Sequence, residues 1–461
     1  MRLGVISDIH LRLNSPDATE PLRRALEHFR SIGVDGVVVA GDLTDLGTRG
    51  QLELFARTWN ESFPGCSVAR LFVTGNHDVH GAHEGLLKEN GLSREEWAKD
   101  AMGLADRRFE YWPRVSGEPY RPFSIRTVAG HRFVLANYGE SGLAGFLEDH
   151  RAELEGDRPF FYVAHLHPRR TCGGEYLDGM TDAESAVALS RFPNAVALTG
   201  HSHTTLTDDR MCWKDGYISI GTGTLFWNIP WGGRENASHF GEPDPRTSQM
   251  PVVSGKAWQG LVIDVWDDRL VVERREFRFG ERLGPDWVVP FGNDLSLSRP
   301  YPCMASNLPR FAPDASFAVR EFCGRNRRGE EVDQVAVTFP TSKSRSGHPR
   351  AFDYLVEAEV EQGDGTVRKI SKRVYSSGWN LGESHDARAE AVFSRMELSG
   401  AGDPVFTVFP LDCLGRRGPG LSRKRVITEY VAVFDARSVG SPVQASGCRG
   451  AGGGQQEKGK Q

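Results

Sequence analysis

Five short apolar runs in the first half of the chain each stop at a residue able to bind a cation. "LGVIS" runs into Asp8-Ile9-His10 and "GVVVA" into Gly41-Asp42. "ARLFVT" leads to Gly75-Asn76-His77-Asp78, "PFFYVA" to His165, and "AVALT" to Gly200-His201-Ser202-His203. Runs of this length read as buried strands, and the amphipathic "EPLRRALEHFRSIG" between the first two reads as a helix that Gly33 stops. Strand–helix–strand order implies an α/β sheet covered by helices. In such sheets, ligands gather beyond the carboxyl ends of the strands. Five strand ends therefore carry Asp, Asn and His to one rim, and the glycines at 41, 75 and 200 let the backbone turn there. Side chains alternate along an extended segment, so His201 and His203 point the same way. No fold needs that pair of imidazoles, and the other four strand ends give it a purpose.

The rest of the chain sets limits. At 461 residues it suits two or three domains. A net charge of −5 provides no basic footprint for duplex nucleic acid, though a single small anion needs only a local site. The seven cysteines form no CxxC pair, so reduced thiols are expected, and with them a cytoplasmic location. "MRLGVISDIHL" lacks the apolar core and cleavage site of a signal peptide, and no run reaches the ~20 apolar residues that span a bilayer. From about residue 312 the texture changes to strand-like runs such as "QVAVTFP", "FDYLVEAEVEQ" and "PVFTVFPLDCLG" without a long helix, which predicts a β-sandwich. The expected organisation is an α/β domain over 1–284, a connection over 285–311, a sandwich over 312–436 and a disordered tail over 437–461.

Taken in order, Asp-x-His, Gly-Asp, Gly-Asn-His-Asp, His and Gly-His-x-His over residues 1–270 resemble the calcineurin-like metallophosphoesterases. The resemblance implies a four-layer α/β/β/α sandwich with two metal ions at the strand ends. It further implies that Asp8, His10, Asp42 and His203 hold one metal. Asp42, Asn76, His165 and His201 would hold the other, with Asp42 bridging and a hydroxide between the ions attacking phosphorus in line. Motif register selects His165 over His167, which reads as a packing or substrate-facing residue. His77 falls at the nonligand histidine that protonates or stabilises the leaving oxygen, and Asp45 at an aspartate that orients it. Purple acid phosphatases place a tyrosine ligand at the Asp45 position, so a tyrosinate-coloured ferric centre is not expected. Carboxylate, amide and imidazole donors without thiolate suit Mn, Fe, Zn or Ni. Two such ions neutralise phosphoryl oxygens and activate water.

The expected activity is hydrolysis of small phosphate mono- or diesters, nucleotides among them, with no membrane partner. The alternative is a noncatalytic scaffold on the same fold, the sandwich being its interaction module. Asp78 reads as structural, while His80 and His83 read equally as surface residues and as substrate contacts. Trp227 and Trp231 read as pocket walls or as packing. The last strand of the sandwich looks loosely fibronectin type III-like.

Overall fold

The computed structural model describes residues 1–424 except 16, 66, 81–86, 89, 101–109, 173–180, 215, 239–251, 254, 293–298, 301–306, 327, 346 and 386. The expected tail, His83 and much of the 79–122 and 227–255 stretches lie outside the described residues.

The first strand, Arg2–Ile6, runs parallel to Gly36–Ala40, which runs parallel to Ala69–Val73. On its other side Gln259–Val265 and Arg269–Glu276 continue the sheet antiparallel. A second sheet centres on Ala195–Thr199, parallel to both Phe160–Ala164 and Ile218–Gly221. The central strands "GVVVA" and "AVALT" are buried at every residue, as strands covered on both faces must be.

Alternation along each strand sorts these residues into layers. Val5, Val38 and Leu71 of the first sheet pack directly against Phe161, Val163 and Leu198 of the second. Their neighbours Ile6, Val39 and Phe72 face outward, against Phe29 of the helix Glu20–Ile32 and Phe55 and Trp59 of Arg49–Ser62. Behind the second sheet, Val134, Phe160 and Ala197 meet Leu147 of Leu143–Asp149 and Leu189 of Ala183–Leu189. The order is helix, sheet, sheet, helix. Gly33 at φ 68° closes the first helix by donating its N–H to the last turn, as its sequence position suggests.

The segment 285–311 is more than a connection. Its Trp287–Pro290 strand pairs with Arg269–Glu276 of the first sheet, and Arg299–Pro300 pairs with Cys212–Lys214 of the second. Beyond it, an antiparallel three-stranded sheet (Ala318–Arg325, Glu331–Pro340, Arg388–Ser394) faces a four-stranded one (Val367–Val374, Asp353–Glu361, Val405–Leu411, Leu421–Lys424). Val337, Phe339 and Phe393 from one sheet and Tyr354, Val356 and Phe406 from the other fill the space between them. Cys323 on the first of these strands is disulfide-bonded, which corrects the expectation of uniformly reduced thiols. Cys172, Cys212 and Cys413 are free and buried.

The sandwich grips the α/β region through polar contacts. Asp353 receives Arg234 from the α/β region beside Arg373 of its own sheet, the carbonyl of Trp379 accepts from Thr207 Oγ1 at 2.6 Å, and Gln259 Nε2 donates to Asn380 O at 2.7 Å.

Candidate metal centre

The two sheets present their parallel strands in the same sense, so the strand ends meet at one rim. The first sheet contributes Asp8, His10, Asp42 and Asn76, and the second His165, His201 and His203. Asp8, His10, Asp42, His201 and His203 all have φ between 49° and 71°. A non-glycine residue there is strained by about 1–3 kcal/mol, which persists only where surrounding structure holds it. The left-handed turns swing short side chains from the strand ends into the rim. Two glycines make the necessary room. A Cβ on Gly75 would run into the Asp42 carboxylate, and one on Gly200 would lie 2.6 Å from Asp8 Oδ2.

Three of the rim imidazoles, those of His10, His165 and His203, are each fixed in one orientation by a hydrogen bond from the outer nitrogen. His203 Nδ1 donates to the Trp227 carbonyl at 2.9 Å, and His165 Nδ1 to the Ala40 carbonyl at 2.8 Å. His10 Nδ1 donates to Asp45 Oδ1 at 3.2 Å. A carbonyl or carboxylate can only accept, so in the neutral rings every Nε2 carries a lone pair facing inward. There His10 Nε2 and His203 Nε2 stand 3.2 Å apart, with Asp8 Oδ1 3.2 Å from the latter. Similarly, His165 Nε2 lies 3.0 Å from Asn76 Oδ1, 3.1 Å from His201 Nδ1 and 3.1 Å from Asp42 Oδ2. Lone pairs converging at such distances repel unless a cation lies among them.

Two of the clusters able to hold a metal ion are Asp8–His10–His203 and Asp42–His165–His201. Asp42 Oδ2 stands between them, 3.1 Å from His165 Nε2 and 3.7 Å from His10 Nε2. These converging carboxylate, amide and imidazole donors thus fit two transition-metal cations.

The electrostatics express the same demand for positive charge. Burial opposes protonation of His165, but the adjacent Asp42 outweighs it and raises the pKa to about 9. His203 is likewise raised, by Asp8 against burial. Asp8 falls to about 2 despite its burial because of His203. His201, buried and beside His165, drops to about 3.

His77 lies at the edge of the centre with its side chain 22% exposed and its ring edge-on to His10, centroids 4.4 Å apart. Its Nδ1 donates to the main-chain carbonyl of Asp45 at 2.9 Å, whereas the nearest Asp45 carboxylate oxygen is 3.9 Å away. The expectation that this carboxylate orients His77 is therefore corrected. The carboxylate turns to His10 instead, and is held by Asn90 Nδ2 at 2.7 Å and Arg12 Nε at 3.0 Å. Asp45 thus supports one histidine with its side chain and another with its backbone.

His167 is buried between Thr199 Oγ1 (2.6 Å) and Ser202 Oγ (2.9 Å), with burial lowering its pKa to about 3. It braces the Gly200–His203 turn from behind. Asp78 ties two loops together by accepting from Leu43 N, Thr44 N and Gly75 N. Trp231 Nε1 donates to Ser202 O at 2.6 Å, while Trp227, 36% exposed, stacks on Phe226 at 4.6 Å. The sequence reading missed Phe226, which stacks on His10 at 5.0 Å, and Arg12, which lies over Phe226 at 4.8 Å. Position alone marked Arg12, two residues after His10. Phe226 lies in a loop with no periodic signal.

Residues 1–205 match the calcineurin-like phosphoesterase family. The matched phosphoesterase region contains every candidate ligand at the rim and ends just after His203. Among solved structures, the chain is similar to a dimetal phosphatase from Danio rerio, at 14% identity over 63% of this chain and 99% of that one, TM-score 0.34. A purple acid phosphatase from yellow lupin (Lupinus luteus) seeds is 13% identical over 63% of this chain and 53% of its own, TM-score 0.39. GAP50, the anchor in the inner membrane complex of Plasmodium, is 12% identical over 64% and 89%, TM-score 0.37. No curated protein matches the chain in sequence. Among the described residues, no helix is long and apolar enough to cross a membrane.

Proposed function

We propose that this protein is a dinuclear metal-dependent phosphoesterase acting on small phosphate mono- or diesters. The observation that carries the reading is the position of Asp42 Oδ2, shared between two sets of inward-facing imidazole nitrogens. Asp8, His10 and His203 with Asp42 would hold one ion, and Asn76, His165 and His201 with Asp42 the other. Bound there, two divalent ions of the Mn, Fe, Zn or Ni type supply charge neutralisation and water activation for in-line displacement at phosphorus. The chain's own residues set the geometry. Asp45 keeps His10 in the tautomer that presents Nε2, and Trp227 O does the same for His203. His77, with Nδ1 committed to Asp45 O, would act as the imidazolium, giving its Nε2 proton to the departing alcohol and being left as the neutral Nδ1–H ring. The intact set of donors and His77 favours an enzyme over the scaffold alternative. The sandwich, read as fibronectin type III-like, then serves chiefly to secure the loops behind His203.

The experiment is hydrolysis of p-nitrophenyl phosphate and bis-p-nitrophenyl phosphate by protein stripped of metal and reloaded with Mn, Zn, Ni or Fe. Metal-restored turnover supports the enzyme, and the ratio of the two rates distinguishes monoesterase from diesterase. Two bound ions with no turnover of either ester would favour the scaffold.

A further inference from the structure

Away from the metal centre, a cavity of about 490 Å³ opens where the α/β region meets the sandwich. Its wall comes from Thr207 and Asp209, the 285–287 segment, and sandwich residues 344–345, 347–350, 352 and 412–413. The volume suits a small ligand. None of the candidate metal ligands lines it.

Three arginines, Arg274, Arg345 and Arg350, line the cavity. Arg274, 4% exposed, donates Nη2 to Pro285 O at 2.7 Å and Nη1 to Leu206 O at 2.9 Å, while its Nε has no partner. Arg350 donates to two carbonyls, Leu381 O at 2.7 Å and Gly378 O at 3.1 Å, and among the described residues no carboxylate pairs with it. Arg345 is exposed at the same wall, and the ring of His348 stands beside it with Nδ1 occupied by Leu308 O.

The acids of the wall are already engaged. Asp209 accepts from Trp287 Nε1 at 2.8 Å and from Arg274, Asp286 pairs with Arg282, and Asp412 is taken by Arg416 and the Leu414 N–H. Burial and the field of Arg350 together push the Arg274 guanidinium below its usual range, and burial does the same to Arg350. Asp209 already balances Arg274, whereas the donors of Arg350 end on neutral carbonyls, and an anion entering beside such a guanidinium offsets the cost of its burial.

We propose that this cavity is a second binding site, taking a small organic dianion held by Arg350 with Arg345 at the mouth, the Asp209-paired Arg274 forming the wall behind them. The planar guanidinium groups of Arg350 and Arg345 match the oxygens of a phosphate monoester or of a dicarboxylate, which share this chemistry. The site does not depend on the phosphoesterase reading. Its occupant would touch the Thr207–Asp209 turn, only a few residues beyond His203, as well as the sandwich.

The test is calorimetric titration of the full chain with inorganic phosphate and, separately, with succinate. It is repeated on Asp42→Asn prepared without added metal, so that binding at the metal centre is removed. At least one anion is expected to bind Asp42→Asn as it binds the unaltered protein. Arg350→Met should weaken that binding tenfold or more. Arg345→Glu, an exposed change that folding tolerates, should weaken it several-fold and covers the case in which Arg350→Met does not fold. Preference for phosphate over succinate assigns the phosphate class, and the reverse assigns the dicarboxylate class. Binding lost in Asp42→Asn, binding indifferent to both arginine changes, or no binding of either anion at millimolar concentration would each overturn the proposal.

Discussion

Replacing Asp353 by Asn measures how far the sandwich reaches into the metal centre. This carboxylate is fully buried and takes Arg234 Nε at 2.6 Å and Arg373 Nε at 2.7 Å. The Arg373 side chain is 33% exposed and can turn to water, but that of Arg234, 3% exposed, cannot. An amide keeps the size and removes the charge, so the penalty falls on Arg234. Removing one partner of a buried pair costs about 3–5 kcal/mol. Urea denaturation of the metal-free variant should show that loss.

A second effect follows along the chain. Arg234 Nη1 also donates to the Trp231 and Gly232 carbonyls, and the indole of Trp231 holds Ser202 O. Loosening that turn disturbs His203, and lost support of a ligand lowers metal affinity by about 10–100-fold. Titration of metal-free protein with Mn²⁺ should show the loss in one of two binding phases, the one shared by Asp8, His10 and His203. A destabilisation below about 1 kcal/mol would place the pair with exposed ion pairs. Together with unchanged metal binding, it would refute the coupling argued here.

Three further outcomes are expected. His77→Ala should lose about 10²–10⁴-fold in turnover yet keep two metals by elemental analysis, because its ring is assigned to proton transfer; loss of an ion would reassign it as a ligand. Asp42→Asn should weaken both metals together, and loss of only one would make Asp42 a terminal ligand. Glu276 is fully buried, and burial raises its pKa to about 7. Because the folded state holds this proton more tightly than the unfolded chain, the stability from Glu276 is complete below about pH 4.5 and lost as pH rises through 7, roughly 3 kcal/mol in all. Glu276→Gln should remove that slope and be the more stable protein at pH 8; parallel stability–pH curves for the two would contradict it.

The strand ends were legible because the information is local. An apolar run followed by Gly-Asp or Gly-Asn-His states both the strand and what lies beyond it. The helix ending at Gly33 was legible for the same reason. What escaped depends on tertiary placement. Whether Asp45 meets His77 with its carboxylate or its carbonyl depends on where His10 and Arg12 sit, which no spacing encodes. Trp227 acts through a backbone oxygen, a group every residue carries. Strands such as Arg299–Pro300 are too short to show a period, so the segment 285–311 passed for a plain connection. The Cys323 bridge escaped too, since isolated cysteines give no pairing signal.

The division of the rim between the two sheets has a mechanical consequence. Asp8, His10, Asp42 and Asn76 are fastened to one sheet and His165, His201 and His203 to the other, and away from the rim the facing strands meet through apolar packing such as Val5 and Leu71 against Val163 and Leu198. A cation coordinated from both sides works as a rivet through two plates. It resists sliding and splaying, which nondirectional packing resists poorly, and its affinity is added to the cohesion of the folded state. Chelators should therefore loosen the seam between the sheets before they loosen either sheet, and hydrogen exchange would register this first along Arg2–Ile6 and Ala195–Thr199, the strands that carry the rim.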